Sequence, residues 1–401
     1  MPDLAVTRLR TTRTTAQPNV LWVELETGDG LLGLGETFFG AEAVEAYLHE
    51  VAAPYLLGRD ARTVTAHWQS LYRLWSRKGV GAEARGASAI DVALWDMMGR
   101  WLGQPLYQLL GGRVRETIGV YNTCAGPGYQ STRLRPGDSL FGIGTPGGEL
   151  EDLWAFLNEP EALVSSLLAS GIETMKVWPF DATLALDGGQ LARTEMVREG
   201  LGLLERMRAA SEGRMEIAVE MRSRWQLPAA KRIVSALEPL QPLWIEDPVR
   251  NDALEALAVL ARSTSIPIAA GENVGSRFRT RELIEQGGIS IVLTDPTWCG
   301  GVTEARRIAE LAALYGLPFG CHDCAGPVNL AIGVHLAVSV ENAFLQEIVR
   351  AYLRGWYRDV ADGLPGVVDG RIAPTSAPGH GVMLRPELRE QRGTAVRETS
   401  A

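Results

Sequence analysis

The sequence predicts an α/β barrel preceded by a small α+β unit, and three observations carry that prediction. From about residue 116 onward, short β-rich apolar runs alternate with helical segments eight times; most of these runs close on a polar residue; and those polar residues recur at a nearly constant interval. Strands that alternate with helices pair in parallel through crossover connections. Eight such units close into a barrel, and a doubly wound open sheet is the alternative.

Residues 1 to roughly 115 read as the α+β unit. The opening MPDLAVTRLRTTRTT has several arginines but no apolar run of signal-peptide length, and it leads directly into NVLWVELETGDGLLGLGE. This is a first strand and a hairpin, with Gly28, Asp29 and Gly30 as the turn. Helical patterns follow from Ala41 to about Leu57 and from Val64 to Trp75. In GASAIDVALWDMMGRWLGQPLYQLLGG, Ile90, Leu94, Met97 and Trp101 recur at helical spacing and Gly103 is the expected stop.

The barrel runs are TIGVYN, ETMKVWP, MEIAVE, LWIED, PIAAGE, SIVLTD, LPFGCH and AFLQE. The interval between Tyr121 and Lys176 is longer than a crossover requires and is rich in Gly, Pro and polar residues, which predicts a lid-like insertion over about 124–150. Gly142, Gly144 and Gly147 spell a G-x-G-x-x-G there, but no strand precedes it and Pro146 lies inside it, so a dinucleotide site is not expected.

Composition bounds the partners. The chain has 401 residues, and 46% apolar with 22% charged residues place it among ordinary globular proteins rather than disordered chains. A net charge of −9 without a basic stripe argues against a nucleic-acid partner. No run of 18 apolar residues exists to span a membrane. Four cysteines in so long a chain are no disulfide framework and fit a reducing compartment, so a cytoplasmic location is expected.

The chemistry gathers at the carboxyl ends of the predicted strands, at Lys176, Glu220, Glu246, Glu272, Asp295, His322 and Glu347. From Glu220 the steps are 26, 26, 23, 27 and 25 residues, one strand-plus-helix unit each, which in a barrel brings all these side chains to one mouth. One acidic strand end serves equally well as a helix cap or a salt-bridge partner. Three glutamates converging on one mouth repel one another unless a cation neutralises them, and an all-oxygen set suits Mg²⁺, with Mn²⁺ as the alternative.

Lys176 is one of three lysines, with Lys78 and Lys231, against 36 arginines, which hints at a role for a compact ammonium beside the blander reading of a snorkelling surface lysine. Asp295 and His322 close successive strands, and a carboxylate beside an imidazole fixes its tautomer and raises its basicity. The remaining histidines, His49, His67, His335 and His380, lie in helical or tail segments and read as structural or surface residues. Cys321 and Cys324 flank His322, but neither a thioredoxin-like context nor a second ligand pair accompanies them, against redox and zinc roles alike.

These residues in this order resemble the enolase superfamily, in its mandelate racemase and muconate-lactonizing branch, and most closely the galactonate dehydratase-like acid-sugar dehydratases. The resemblance runs through GASAIDVALWDMMGRWLGQPLYQLLGG, WIEDPV, AGEN, DPTWCGGVTEARRIAELAALYGLPFGCHD, the Gln346-Glu347 pair and the tail PGHGVML. It implies a (β/α)₇β TIM-like barrel over 116–364, capped by an α+β domain of residues 1–115 that about 365–401 complete. It further implies Glu220, Glu246 and Glu272 as Mg²⁺ ligands, Asp295 and His322 as a catalytic dyad, Lys176 as a carboxylate-side lysine and Glu347 as a substrate-contacting acid.

Three positions depart from the family pattern. Glu220 stands where Asp is commoner, Trp178 where a second lysine base would be, and Arg222 where the galactonate dehydratase-like members carry a histidine acid. With one base remaining, the resemblance implies Mg²⁺-dependent proton abstraction α to a carboxylate and β-elimination of water from a polyhydroxy monocarboxylate, a sugar acid, giving a 2-keto-3-deoxy acid. A racemase or epimerase is the alternative; an imine-forming aldolase using Lys176 and a silent binding protein are remoter ones. The expected partners are a small-molecule carboxylate, read by Arg222, Trp298, Trp178 and the insertion after Cys124, and further copies of the chain in a homo-oligomer.

Overall fold

The computed structural model describes residues 4–73, 81–133, 146, 148–181 and 188–401. Its first strands, β1 (Val6–Thr14), β2 (Val20–Thr27) and β3 (Leu32–Phe38), form an antiparallel meander, and Gly30 takes the left-handed conformation that the β2–β3 turn requires. The C-terminal strand Thr394–Ser400 pairs with β1, so the end of the chain returns to its beginning.

Period-two alternation along β2 explains how this sheet serves two cores. Leu21, Val23 and Leu25 pack with the helices of the α+β unit, whereas Val20 and Trp22 on the other face join the barrel's hydrophobic core. The predicted long helix spans Ala82–Leu102 and ends in a left-handed Gly103. It lies close against β3 because Gly33 and Gly35 present no side chain; a Cβ there would stand 2.1 and 2.0 Å from the carbonyl oxygens of Ala93 and Ala89. Ile90, Leu94 and Met97 are buried, but Trp101 in the last turn is 38% exposed and stacks under the Arg62 guanidinium. The 41–57 helix is interrupted by a wide π turn at Leu48–Ala52, and that from Val64 runs through another at Gln69–Arg73; residues 74 and 75 lie outside the described set.

All eight predicted barrel runs form strands: β4 (Ile118–Thr123), β5 (Thr174–Val177), β6 (Glu216–Glu220), β7 (Ile245–Glu246), β8 (Ile268–Ala270), β9 (Ile291–Thr294), β10 (Phe319–Cys321) and β11 (Gln346–Ile348). Pairing is parallel and sequential from β4 to β10. β11 pairs with β4, and a bridge from Phe319 to Ala343 joins the two ends of the ring. A doubly wound sheet is thereby corrected, because its strand order would reverse at a switch point and here it never does.

Between strands run the crossover helices, including Thr194–Ser211, Gly301–Leu314 and Pro327–Ser339. Inside the ring, Tyr121, Ala218, Trp244, Ala269, Ile291 and Leu293 make a separate apolar cluster that fills the barrel and serves as the floor of the site. Tyr121 meets Trp244 edge to face at 5.0 Å. Among the described residues, no helix is long and apolar enough to cross a membrane.

Candidate active site

Every polar residue expected at the barrel mouth arrives there. Glu220 is the last residue of β6 and Glu246 of β7, while Glu272, Asp295 and His322 stand just beyond β8, β9 and β10. Glu220, Glu246 and Glu272 each offer a carboxylate oxygen, all lying within 4.8 Å of one another. Lys176 Nζ is buried among their neighbours, 2.5 Å from Glu246 Oε1, 3.1 Å from Glu347 Oε1 and 3.3 Å from Glu220 Oε2.

The electrostatics follow from this crowding. Burial, and then the charge of Glu246, push the Glu220 carboxyl well above the usual range. Burial acts on Glu246 too, but Lys176 outweighs it, aided by the Trp244 indole N–H that donates to Oε2 at 3.0 Å, and the group is held low. Burial raises Glu272 despite the opposing pull of His322. One ammonium does not neutralise three crowded carboxylates, two buried and one half-buried, so the donor set fits a hard divalent cation.

His322 Nδ1 lies 2.7 Å from Asp295 Oδ2, which fixes the ring and leaves Nε2 pointing into the cavity, 3.6 Å from Glu272. Asp295 is itself tied down, accepting from the Thr297 N–H at 2.7 Å and its hydroxyl at 2.6 Å through Oδ1, and from Asn329 Nδ2 at 3.3 Å through Oδ2. Burial alone would lower the imidazole pKa, yet Glu272 and Asp295 overcome it and raise it to about 10. The Trp298 ring packs 5.0 Å from His322, and its buried indole N–H has no hydrogen-bond partner among the described residues. Glu347 accepts from the Thr123 hydroxyl and, at 2.9 Å, from the Asp323 N–H.

The cavity of about 180 Å³ above these groups is also lined by Trp178, Arg222 and, from the bend just after β3 of the α+β unit, Phe39. Trp178 is walled in by Tyr129 and Phe156, with centroids 5.5 and 5.4 Å away. Arg222 pairs with Asp181 and donates to the Tyr129 hydroxyl at 3.3 Å. Sequence reasoning missed Phe39, Thr123, Asp181 and Arg224; for Arg224 a signal existed, since it follows Glu220 and Arg222 at every second position. Of the predicted insertion, Tyr129 and Gln130 do reach the cavity, whereas 134–145 and 147, with all three glycines of the G-x-G-x-x-G, lie outside the described residues. Cys321 and Cys324 are buried, unbridged thiols whose pKa values burial raises, the opposite of what a redox pair needs.

Residues 160–388 match the family model described as enolase C-terminal domain-like, and residues 4–111 that of the mandelate racemase/muconate lactonizing enzyme N-terminal domain. The chain belongs to the mandelate racemase/muconate lactonizing family. Within that family it is 33% identical to a D-galactonate dehydratase of Ralstonia nicotianae, over 98% of this chain and 95% of that one. A D-galactonate dehydratase of Variovorax paradoxus is 34% identical over 86% of this chain and 81% of its own length. Among solved structures, a mandelate racemase subgroup enolase from Agrobacterium tumefaciens superposes with a TM-score of 0.87 at 39% identity, covering 99% of both chains.

Proposed function

We propose that this member of the family is a hydro-lyase that dehydrates an acid sugar to its 2-keto-3-deoxy acid, with Mg²⁺ as the physiological cofactor. The observation that carries the reading is the meeting of the glutamate triad and the His322–Asp295 dyad in one cavity, with His322 Nε2 turned toward Glu272. The D-galactonate dehydratases at about one-third identity support the reaction class. In the same reading, residues 1–115 with about 365–401 form the cap, and 116–364 the catalytic barrel.

Glu220, Glu246 and Glu272 would hold the ion, which when bound supplies positive charge against the substrate carboxylate. Lys176 adds an ammonium on the same side, where charge accumulates as the α-proton leaves. His322 takes that proton at Nε2, the C–H electron pair passing into the developing enolate, while Asp295 holds the Nδ1–H. The same proton is then delivered to the β-hydroxyl; the Cβ–O bond breaks, water departs, and the enol tautomerises to the 2-keto acid. Glu347, oriented by Thr123 and the Asp323 N–H, contacts the substrate's hydroxyl face. Trp178 supplies bulk where racemisation would need a second base, which favours elimination over epimerisation.

The test is a panel of acid sugars incubated with Mg²⁺ and scored for 2-keto acid formation, each α-epimer being run separately in deuterated water. The reading expects 2-keto acid from one epimer and none from the other. Interconversion of epimers, or α-deuterium in both, contradicts it and moves the assignment to an epimerase.

A further inference from the structure

Two arginines stand on the turn that leaves β6, two and four residues after Glu220, and they are not equivalent. Arg222 and Ser223 both take left-handed backbone conformations, φ 53° and 56°, which non-glycine residues adopt only when their surroundings over-determine them. Here the Ser223 N–H donates to the Asp247 carbonyl at 2.7 Å, its hydroxyl to Asp247 Oδ2 at 3.2 Å, and the Arg224 N–H to the Met221 carbonyl at 3.2 Å. The strained turn delivers both guanidiniums to the cavity that holds His322 and the glutamates.

Arg222 has its counter-ion in Asp181. Arg224, half-buried in the same wall, has no ion pair and no side-chain hydrogen bond among the described residues. Asp181 is the one acid whose charge acts appreciably on it among the described residues, but that carboxylate is already engaged by Arg222, so among those residues the pair of guanidiniums shares one carboxylate. A half-desolvated guanidinium without a partner is costly to keep, and its planar fork of donors matches a carboxylate far better than a neutral hydroxyl.

We propose that Arg224 binds a second carboxylate of the substrate, at the opposite end of the carbon chain from the carboxylate next to the reacting carbon, so that the preferred substrate is a dicarboxylate acid sugar rather than a monocarboxylate. The proposal rests on the acid-sugar reading above for the reaction, though not for the binding. An anionic partner at Arg224 supplies the charge the protein leaves out, and a terminal CH₂OH in its place leaves the guanidinium unmatched.

The experiment compares stereochemically matched aldonate and aldarate pairs by kcat/KM, together with calorimetric binding of a non-reactive dicarboxylate and its monocarboxylate analogue, in wild type, Arg224→Gln and Arg224→Lys. Wild type is expected to prefer the diacid roughly ten- to a hundredfold, the range for one lost charge-assisted bond. Arg224→Gln should erase most of that preference, and Arg224→Lys should restore part of it. Preference for the monoacid, a phosphorylated monoacid outperforming the diacid, or an Arg224→Gln that weakens both partners equally would overturn the proposal. Arg224-dependent diacid binding without any 2-keto acid would uphold it while refuting the dehydratase; dehydration confined to monoacids would do the reverse.

Discussion

Two sets of buried carboxylates in this molecule, those at the seam between cap and barrel and those at the barrel mouth, are treated in opposite ways. At the seam each acid is answered by protein donors. Glu36 accepts from the Trp22 indole N–H at 2.8 Å and from the Asn329 N–H at 3.0 Å, at the start of helix Pro327–Ser339. Asp91 accepts from the Thr303 N–H at 3.0 Å and its hydroxyl at 2.6 Å, at the start of helix Gly301–Leu314. Gly301, at φ 82°, leaves the room, since a Cβ there would stand 2.2 Å from Asp91 Oδ1. Helix N-termini favour such acceptors and hold the cap in register over the mouth. At the mouth Glu220, Glu246 and Glu272 face one another, and Glu220 and Glu246 share Lys176. Satisfied acids at the seam are structural; the crowded ones at the mouth are the set that the proposed function gives to a cation.

The largest effect expected from breaking this contrast is at the mouth. Glu246→Gln should lower turnover by about 10³-fold, the scale of removing a main electrostatic element, with an unchanged circular dichroism spectrum. Wild type in excess EDTA should lose activity likewise and recover it with Mg²⁺; full turnover after dialysis against chelator would sink the cation assignment.

Next in size is the dyad. His322→Asn should lose roughly 10²-fold or more in turnover with metal affinity intact, as for a missing positioned base, and Asp295→Asn should be equal or milder. Native-like exchange of the α-proton in His322→Asn would assign the base elsewhere.

Stability should then respond with opposite sign in the two regions. Glu36→Ala strands the Trp22 and Asn329 donors and should cost about 3 kcal/mol while specific activity of the folded protein persists. Glu220→Gln relieves repulsion, so in metal-free buffer it should melt at or above wild type. Calorimetric melting of both variants checks the pair, and destabilisation by Glu220→Gln would remove the contrast.

The smallest effect is a pH slope. His335 is buried beside Tyr107, and burial, with His380, lowers its pKa to about 3. Its folded value lies below its unfolded one, so between about pH 6.5 and 3 the unfolded chain binds the extra proton and stability falls as pH falls. His335→Gln should flatten this part of the denaturation profile by about 1 kcal/mol per pH unit. An unchanged slope would show that His335 does not carry the acid sensitivity.

The eight barrel runs and the polar residue that closes most of them were legible in the sequence because both are local: an apolar run between turn signals needs no distant partner to be recognised. Even-spaced units place their ends at one mouth whatever fills the crossovers, so Glu220, Glu246, Glu272, Asp295 and His322 could be grouped from spacing and strand ends. Tertiary structure alone decided which charges meet. Asp181 neutralises Arg222 and leaves Arg224 unpaired among the described residues, Phe39 crosses from the cap into the cavity, and Glu36 answers a helix start 292 residues away. Nothing in local periodicity encodes such pairings. They exist only once the ring has closed and the cap has settled on it, because the energy of a buried charge depends on which groups desolvate it and which answer it.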